Sequence, residues 1–407
     1  MPRILAQRPA LETLRRALRQ QRIPHAWIFH GPFGVGKFTT AVEFARLLLD
    51  PLTGPEHVER FEAPREGPDA ALFAAGTHPD LHVVRRELAA ASRIASLRRR
   101  KLTNIPLDLV REQMIGGRVD ETMLDAPVAR GSVRGRGKVF IVDEAELLEP
   151  VAQDALLKTL EEPPPRTWIV LVTTREHLMR PTVRSRCQRA AFAPLDGDAM
   201  ATWAAGQSSL RDLSPAARAW LLSFADGSPG TATFALEHGV PEWSEVVVPF
   251  LDAALAGRHP AGAADALLKL VEELAKTLVK ERSEALKWLG PVEEPGDADE
   301  EAGEESVGEE PAAASGPKGE ASLAAAKRDA AGWLLAAVAH ESRRRLRSAV
   351  ESGDDGLAAL RTLDLVVQTT RQLDDNVNLR NAFADLVALA SAPAVATVPF
   401  SGVRSEG

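Results

Sequence analysis

Residues 26–49 read AWIFHGPFGVGKFTTAVEFARLLL, and the fold turns on them. Ala26–Phe29 is a short apolar run of the kind that forms a buried strand. It leads into Gly31, Gly34, Gly36 and Lys37 at G-x-x-x-x-G-K spacing, and then into a helical pattern from Thr40 to Leu49. A glycine loop between a strand and a helix is the setting a phosphate-binding loop needs. The glycines let successive backbone N–H groups turn inward, and the helix N-terminus adds positive potential. Lys37 is expected to reach the β- and γ-phosphates. The motif then asks for Ser or Thr, whose hydroxyl ligates Mg²⁺, but this chain has Phe38. Thr39 follows, rotated by ~100° on the helix, and is expected nearer an α-phosphate than a metal.

Outward from the loop, further strand-like runs lie at Leu81–Val84, Lys138–Val142, Trp168–Thr173 and Ala190–Phe192, mostly with helical stretches between them. That alternation predicts an α/β domain over 1–195, a parallel sheet covered on both faces. The run Lys138–Val142 ends in Asp143-Glu144, which resembles a Walker B segment. Asp143 would organise Mg²⁺ and Glu144 would polarise an attacking water. After Pro194 the strand signal stops. Short helices are expected at 197–206, 214–225 and 229–238, within a small helical domain over 196–240. A third, all-helical domain is expected over 241–393, with long patterns at 262–288, 323–350, 356–373 and 379–391. Trp333, Leu334, Val338 and Leu346 suit one helix face, and Leu357, Leu360, Leu363 and Val367 suit another. Residues 394–407 read as a loose tail.

The chain of 407 residues has a formal charge of −8, which misplaces its acidity. Residues 291–322 hold eleven Asp/Glu and one Lys, a net of −10; removing it leaves +2 for everything else. That segment is rich in Pro, Gly, Ala and Ser and is expected to be a disordered linker, because it has little apolar surface to bury. The single cysteine, Cys187, excludes an internal disulfide or a Cys-rich zinc site. No stretch of eighteen apolar residues exists, and the first residues, MPRILAQRPALETLRRAL, lack an uninterrupted apolar run. A cytoplasmic protein away from the membrane is expected. Tyrosine is absent and aromatics are 5%, so widespread base stacking is not expected. The basic strings Arg98–Lys101 and Arg343–Arg345 read as solvated faces, and Cys187, His25 and His78 as structural residues.

His25-Ala26, GPFGVGK, KVFIVDEAELL (138–148), QDALLKTLEEPPP (153–165), LVTT (171–174) and PTVRSRCQ (181–188) together resemble the AAA+ clamp-loader subunits of bacterial replicases. The likeness covers residues 5–240 and extends weakly to Asn376-Val377-Asn378-Leu379. It implies an AAA+ P-loop sheet domain, a helical lid and an all-α collar for oligomerisation. By the same resemblance, Arg186 of the Ser185-Arg186-Cys187 motif is an arginine finger reaching into a neighbouring subunit's ATP site, and Thr174 stands at the sensor 1 position.

Two departures select a branch of that family. Phe38 stands where ATP-hydrolysing gamma/tau chains carry Ser or Thr. Thr231, in Gly227-Ser228-Pro229-Gly230-Thr231, stands where they carry the sensor 2 arginine. With Ser-Arg-Cys intact, these losses fit the delta-prime branch of DNA polymerase III. The resemblance implies gamma/tau and delta subunits as partners, with the sliding clamp and primed DNA reached through the assembled complex. ATP is the implied nucleotide, against which Phe38 and Thr231 count; Mg²⁺ is expected only with it, and zinc is not expected, since residues 50–77 lack cysteine. The rival expectations are an ATP-hydrolysing gamma/tau-type motor and an AAA+ adaptor outside replication.

Overall fold

The computed structural model describes residues 4–20, 23–100, 103–287, 317–375 and 377–392. Contacts divide them into one compact unit within 1–237 and 280–325, and a second within 238–279 and 326–407.

In the first unit, helix α1 (Arg8–Arg19) precedes strand β1 (Ala26–His30), and helix α2 (Lys37–Leu49) follows it. Two short helices, α3 (Pro55–Arg60) and α4 (Pro68–Ala75), lead to β2 (Leu81–Val84). Helices α5 (Ala95–Arg98) and α6 (Leu107–Val110) come next, then an antiparallel hairpin of β3 (Gly117–Val119) and β4 (Thr122–Leu124). The chain returns through β5 (Lys138–Val142), α7 (Pro150–Glu161), β6 (Thr167–Thr173), α8 (Pro181–Arg184) and β7 (Gln188–Ala191). Strands β2, β5, β6, β1 and β7 lie side by side in that order, all parallel.

The inner parts of β1, β5 and β6 are apolar because both faces of the sheet are covered. Trp27, Phe29, Val139, Ile141, Val170 and Val172 point into one core layer with α1 and α2. Ile28, Phe140, Val142, Ile169 and Leu171 alternate into the other, against Leu109, Leu156 and Val183. In an open parallel sheet the ligand crevice forms beyond the carboxyl ends of the strands, where the order reverses. Here β1, an interior strand between β6 and β7, delivers the glycine loop to that edge.

Three helices stand at the expected positions, α9 (Gly197–Ala205), α10 (Pro215–Ala225) and α11 (Pro229–Glu237), and cluster with the sheet in this unit. Asp196 and Ser214 cap the first two, accepting from Ala199 N at 2.8 Å and Ala217 N at 3.2 Å.

The second unit is helical. It contains α12 (Ser244–Leu255), parts of α13 (Ala263–Lys287) and α14 (Pro317–Ser352), and then α15 (Leu357–Asp374) and α16 (Leu379–Ser391). Leu334 and Val338 are buried as expected. On α15, Leu357, Leu360 and Val367 of the named face are exposed and Leu363 is half-buried, while Ala359, Thr362, Val366, Thr369 and Leu373 turn inward. Both stripes have helical spacing, and α15 packs against α16. Asn378, from the weak late motif, caps α16 by accepting from Arg380 N at 2.9 Å. Residues 291–316 of the acidic segment and 394–407 of the tail lie outside the described residues; 317–322 belong to α14.

Candidate functional site

Gly31, Gly34 and Gly36 all have positive φ, and Gly36 leads into α2 with no side chain capping the helix. The first N–H groups of α2 therefore keep their positive character for an anion. Lys37 is 5% exposed, and its Nζ donates to the carbonyls of Gly31, at 2.7 Å, and Pro32. Burial pushes its amine down to about 8, against the opposing pull of Glu146 and Asp143. Thr39 is half-buried in the first turn, and Thr40 turns its hydroxyl back onto Gly36 O at 2.8 Å.

The acid pair ends β5 beside the end of β2: Asp143 N donates to Val84 O at 3.0 Å. That register brings Arg85 and Arg86 against Asp143 and Glu144. Arg85 Nε lies 3.2 Å from Asp143 Oδ2, and Arg86 Nε lies 3.2 Å from Glu144 Oε2. Burial raises the proton affinity of Asp143, with Arg85 opposing it. The guanidinium of Arg85 also sits 4.2 Å from the ring centre of Phe38. These residues do not fit Mg²⁺: Phe38 offers no oxygen, and the Asp143 carboxylate meets a cation already in place. Among the described residues no group of three or more His, Cys, Asp or Glu is placed to hold a metal.

Thr174, at the end of β6, donates through its backbone N to Glu146 Oε1 at 3.1 Å and bonds the same oxygen through its hydroxyl. Glu146 thus ties Thr174 to the field around Lys37. Thr231 is nearer still to the loop. Ser228 Oγ donates to Phe33 O at 2.8 Å, Gly230 N donates to Gly34 O at 2.9 Å, and Thr231 hydrogen-bonds Ser228 Oγ through N and Oγ1. The segment 228–231 is docked directly on the glycine loop.

Arg186 lies at the other end of the sheet. The pairing of Trp27 with Gln188 and His30 with Ala191 puts the glycine loop beyond the carboxyl end of β7, whereas Arg186 precedes its start. Roughly 13 Å of strand separates the two levels. Arg186 is held on α7 and α8: Nε donates to Glu161 Oε1 at 2.6 Å and Nη1 to Thr182 O at 2.8 Å. Its side chain remains 35% exposed. Lys37, Asp143, Glu144, Thr174 and Thr231 therefore gather at one edge, and Arg186 faces outward at the opposite one.

The remaining singled-out residues have structural partners. His25 Nε2 bonds Leu160 O at 2.7 Å, and His78 is buried with its ring stacked on Phe73. Cys187 packs against the second core layer, where burial pushes its thiol up to about 12. Arg344 and Arg345 pair with Glu341, and Arg345 also with Asp252. Arg98 is tied to Ser92 O at 2.8 Å. No helix among the described residues is long and apolar enough to cross a membrane.

Sequence reasoning missed Arg85 and Arg86. Their signal is Arg-Arg directly after a strand, but which acids they meet depends on the β2–β5 pairing, a contact between segments far apart in sequence.

Residues 6–196 match the family model described as DNA polymerase III, delta subunit. The chain is 33% identical over 225 residues to DNA polymerase III subunit delta' of Pseudomonas aeruginosa, covering 55% of this chain and 59% of that one. It is 32% identical over 197 residues to DNA polymerase III subunit tau of Bacillus subtilis, covering 48% of this chain and 30% of that one. The chain thus spans less than two thirds of these relatives' length. A solved DNA polymerase III gamma-subunit-related protein from Thermotoga maritima aligns over 94% of this chain and 98% of that one, with 15% identity and a TM-score of 0.40. Over residues 6–196, the chain is similar to subunits of DNA polymerase III.

Proposed function

We propose that this chain is the delta-prime-type subunit of a cytoplasmic DNA polymerase III clamp loader, a stator that lends Arg186 to the ATP site of a neighbouring gamma/tau-type subunit. Its other partners would be a delta-type subunit and, through the complex, the sliding clamp and primed DNA. The observation that carries this reading is the position of Arg186, outward-facing and a strand's length from the chain's own phosphate loop. A guanidinium there serves a γ-phosphate on another subunit, where it stabilises charge in transit. Phe38, Thr231 and the pairing of Asp143 with Arg85 support the complementary half of the reading, that the chain's own loop does not hydrolyse ATP. Thr174 and Glu144 stand beside that loop without a hydrolytic role.

The test is reconstitution with the ATPase partners. Arg186→Ala removes an exposed ion pair, worth about 0–1 kcal/mol, so folding and assembly should persist while clamp-stimulated hydrolysis and clamp loading fall. Arg186→Lys should rescue little, because an ammonium lacks the planar fork that meets two phosphate oxygens. Wild-type loading by an assembled Arg186→Ala complex would remove the stator reading. The similarity to a tau subunit favours a second reading, a motor that hydrolyses ATP itself. Steady turnover by the purified chain at roughly 1 per second or more would select it.

A further inference from the structure

The acid pair after β5 is matched by two arginines rather than left open for a metal. Arg85 and Arg86 close β2, Asp143 and Glu144 close β5, and the two strands are hydrogen-bonded neighbours in parallel register. Each arginine meets one acid at 3.2 Å, Arg85 with Asp143 and Arg86 with Glu144. Arg86 also pairs with Glu87 at 3.2 Å. Arg85 has a second support that bears on its role. Its guanidinium lies over the ring of Phe38, at 4.2 Å from the ring centre. Phe38 is the first residue after the loop lysine, the position from which a hydroxyl would reach a metal. The two departures from a metal site are therefore one arrangement. The residue that loses the hydroxyl gains an aromatic face, and that face carries a cation against the carboxylate the metal would have used.

We propose that Arg85 is the resident cation of this site, standing in for the divalent metal between Asp143 and the phosphate loop, so that a nucleoside polyphosphate entering the loop binds without Mg²⁺. The inference rests on reading Gly31–Lys37 as a phosphate loop. A guanidinium suits this position because it is permanently charged, spreads its charge over a plane that stacks on an aromatic ring, and presents several donors to carboxylate and phosphate oxygens. It supplies no activated water and cannot be exchanged, so the site holds charge without metal-assisted hydrolysis.

Two measurements on the full chain test this. In the first, the melting midpoint is followed with and without millimolar Mg²⁺, against NaCl of equal ionic strength. The wild type should not respond to Mg²⁺. Arg85→Ala leaves the Asp143 carboxylate without its cation and should lower the midpoint by about 2–4 °C. Mg²⁺ should restore that loss and NaCl should not, because only a bound ion stabilises by mass action. Arg85→Lys keeps a charge and should behave as the wild type. A loss that Mg²⁺ fails to restore would make Arg85 a packing residue only, and a Mg²⁺ response in the wild type would show that the metal position is open. In the second, an N-methylanthraniloyl derivative of ADP is titrated in Mg²⁺ and in EDTA. Wild-type affinity should agree within about twofold, and tightening by Mg²⁺ of about tenfold would overturn the proposal. Absence of binding in both buffers would sink the phosphate-loop reading alone, and the melting comparison would still decide the place of Arg85.

Discussion

Lys37 shows how one side chain registers the state of the whole loop. Its amine is buried among carbonyls and its protonated form is disfavoured by desolvation, so its folded value of about 8 lies below the ordinary lysine range. Below pH 8 both folded and unfolded chains hold the proton and the desolvation penalty is fully present. As the pH rises through 8 toward 10.5 the folded chain releases the proton first, the unfolded chain binds more, and stability gains. The full span is roughly 3 kcal/mol. Lys37→Met has no proton to release, so the stability of the wild type relative to this variant should rise between about pH 7.5 and 10, measured by urea unfolding at each pH. A difference that stays constant over that range would mean that the amine titrates as in water.

At the scale of elements, the phosphate loop and the segment before α11 form one packed unit, and Gly34 is where they touch. Its φ is +71°, and a Cβ there would meet Ser228 Oγ at 2.4 Å and the backbone of Gly230 at 2.8 Å. The obstacle includes main chain, which cannot swing aside. Gly36 has a φ of +99° but open space around a Cβ. Gly36→Ala should therefore cost only backbone strain, about 1–3 kcal/mol. Gly34→Ala adds overpacking of similar size and should also free segment 228–231 from the loop. Urea midpoints rank the two, and faster amide exchange at Gly230 should appear in Gly34→Ala alone. Equal losses would show that segment 228–231 yields without cost. The sequence makes these elements legible to different degrees. Residues 26–29, 139–142 and 168–172, the bulk of β1, β5 and β6, are apolar without a break because both sheet faces are covered, so their runs announce them. The hairpin of β3 and β4 is drawn from GRVDETML, where no alternation sets a face, and it passes unnoticed. β7 begins at Gln188, two residues before its apolar part, because backbone pairing with β1 recruits polar residues at its start. The Arg85–Asp143 contact stays hidden for a related reason: each residue is visible, but their meeting is a property of strand order.

At the scale of the whole molecule, α15 carries two apolar stripes, and only packing reveals which one the fold uses. Ala359, Thr362, Val366 and Thr369 are spent on the second unit's own core, which leaves Leu357, Leu360 and Val367 at 59%, 47% and 50% exposure. These three share one face of the helix at spacings of three and seven residues, and Asp364 is the polar residue within the stripe. If the chain assembles through its helical region, as the proposed role requires, such a face would serve the neighbour. Leu360→Glu with Val367→Glu should therefore separate folding from assembly. Neither residue is buried in the isolated chain, so its stability should change by no more than about 0.5 kcal/mol per site, read from thermal or urea unfolding. In a complex the same charges would be desolvated against apolar side chains, which is costly without a partner charge. Size-exclusion chromatography with gamma/tau-type and delta-type subunits should then show the doubly substituted chain eluting alone, and its intact Arg186 should not sustain clamp loading. Normal assembly would place the contact on another face of this unit. Loss of folding would mean that the stripe contributes to the chain's own stability, despite its exposure.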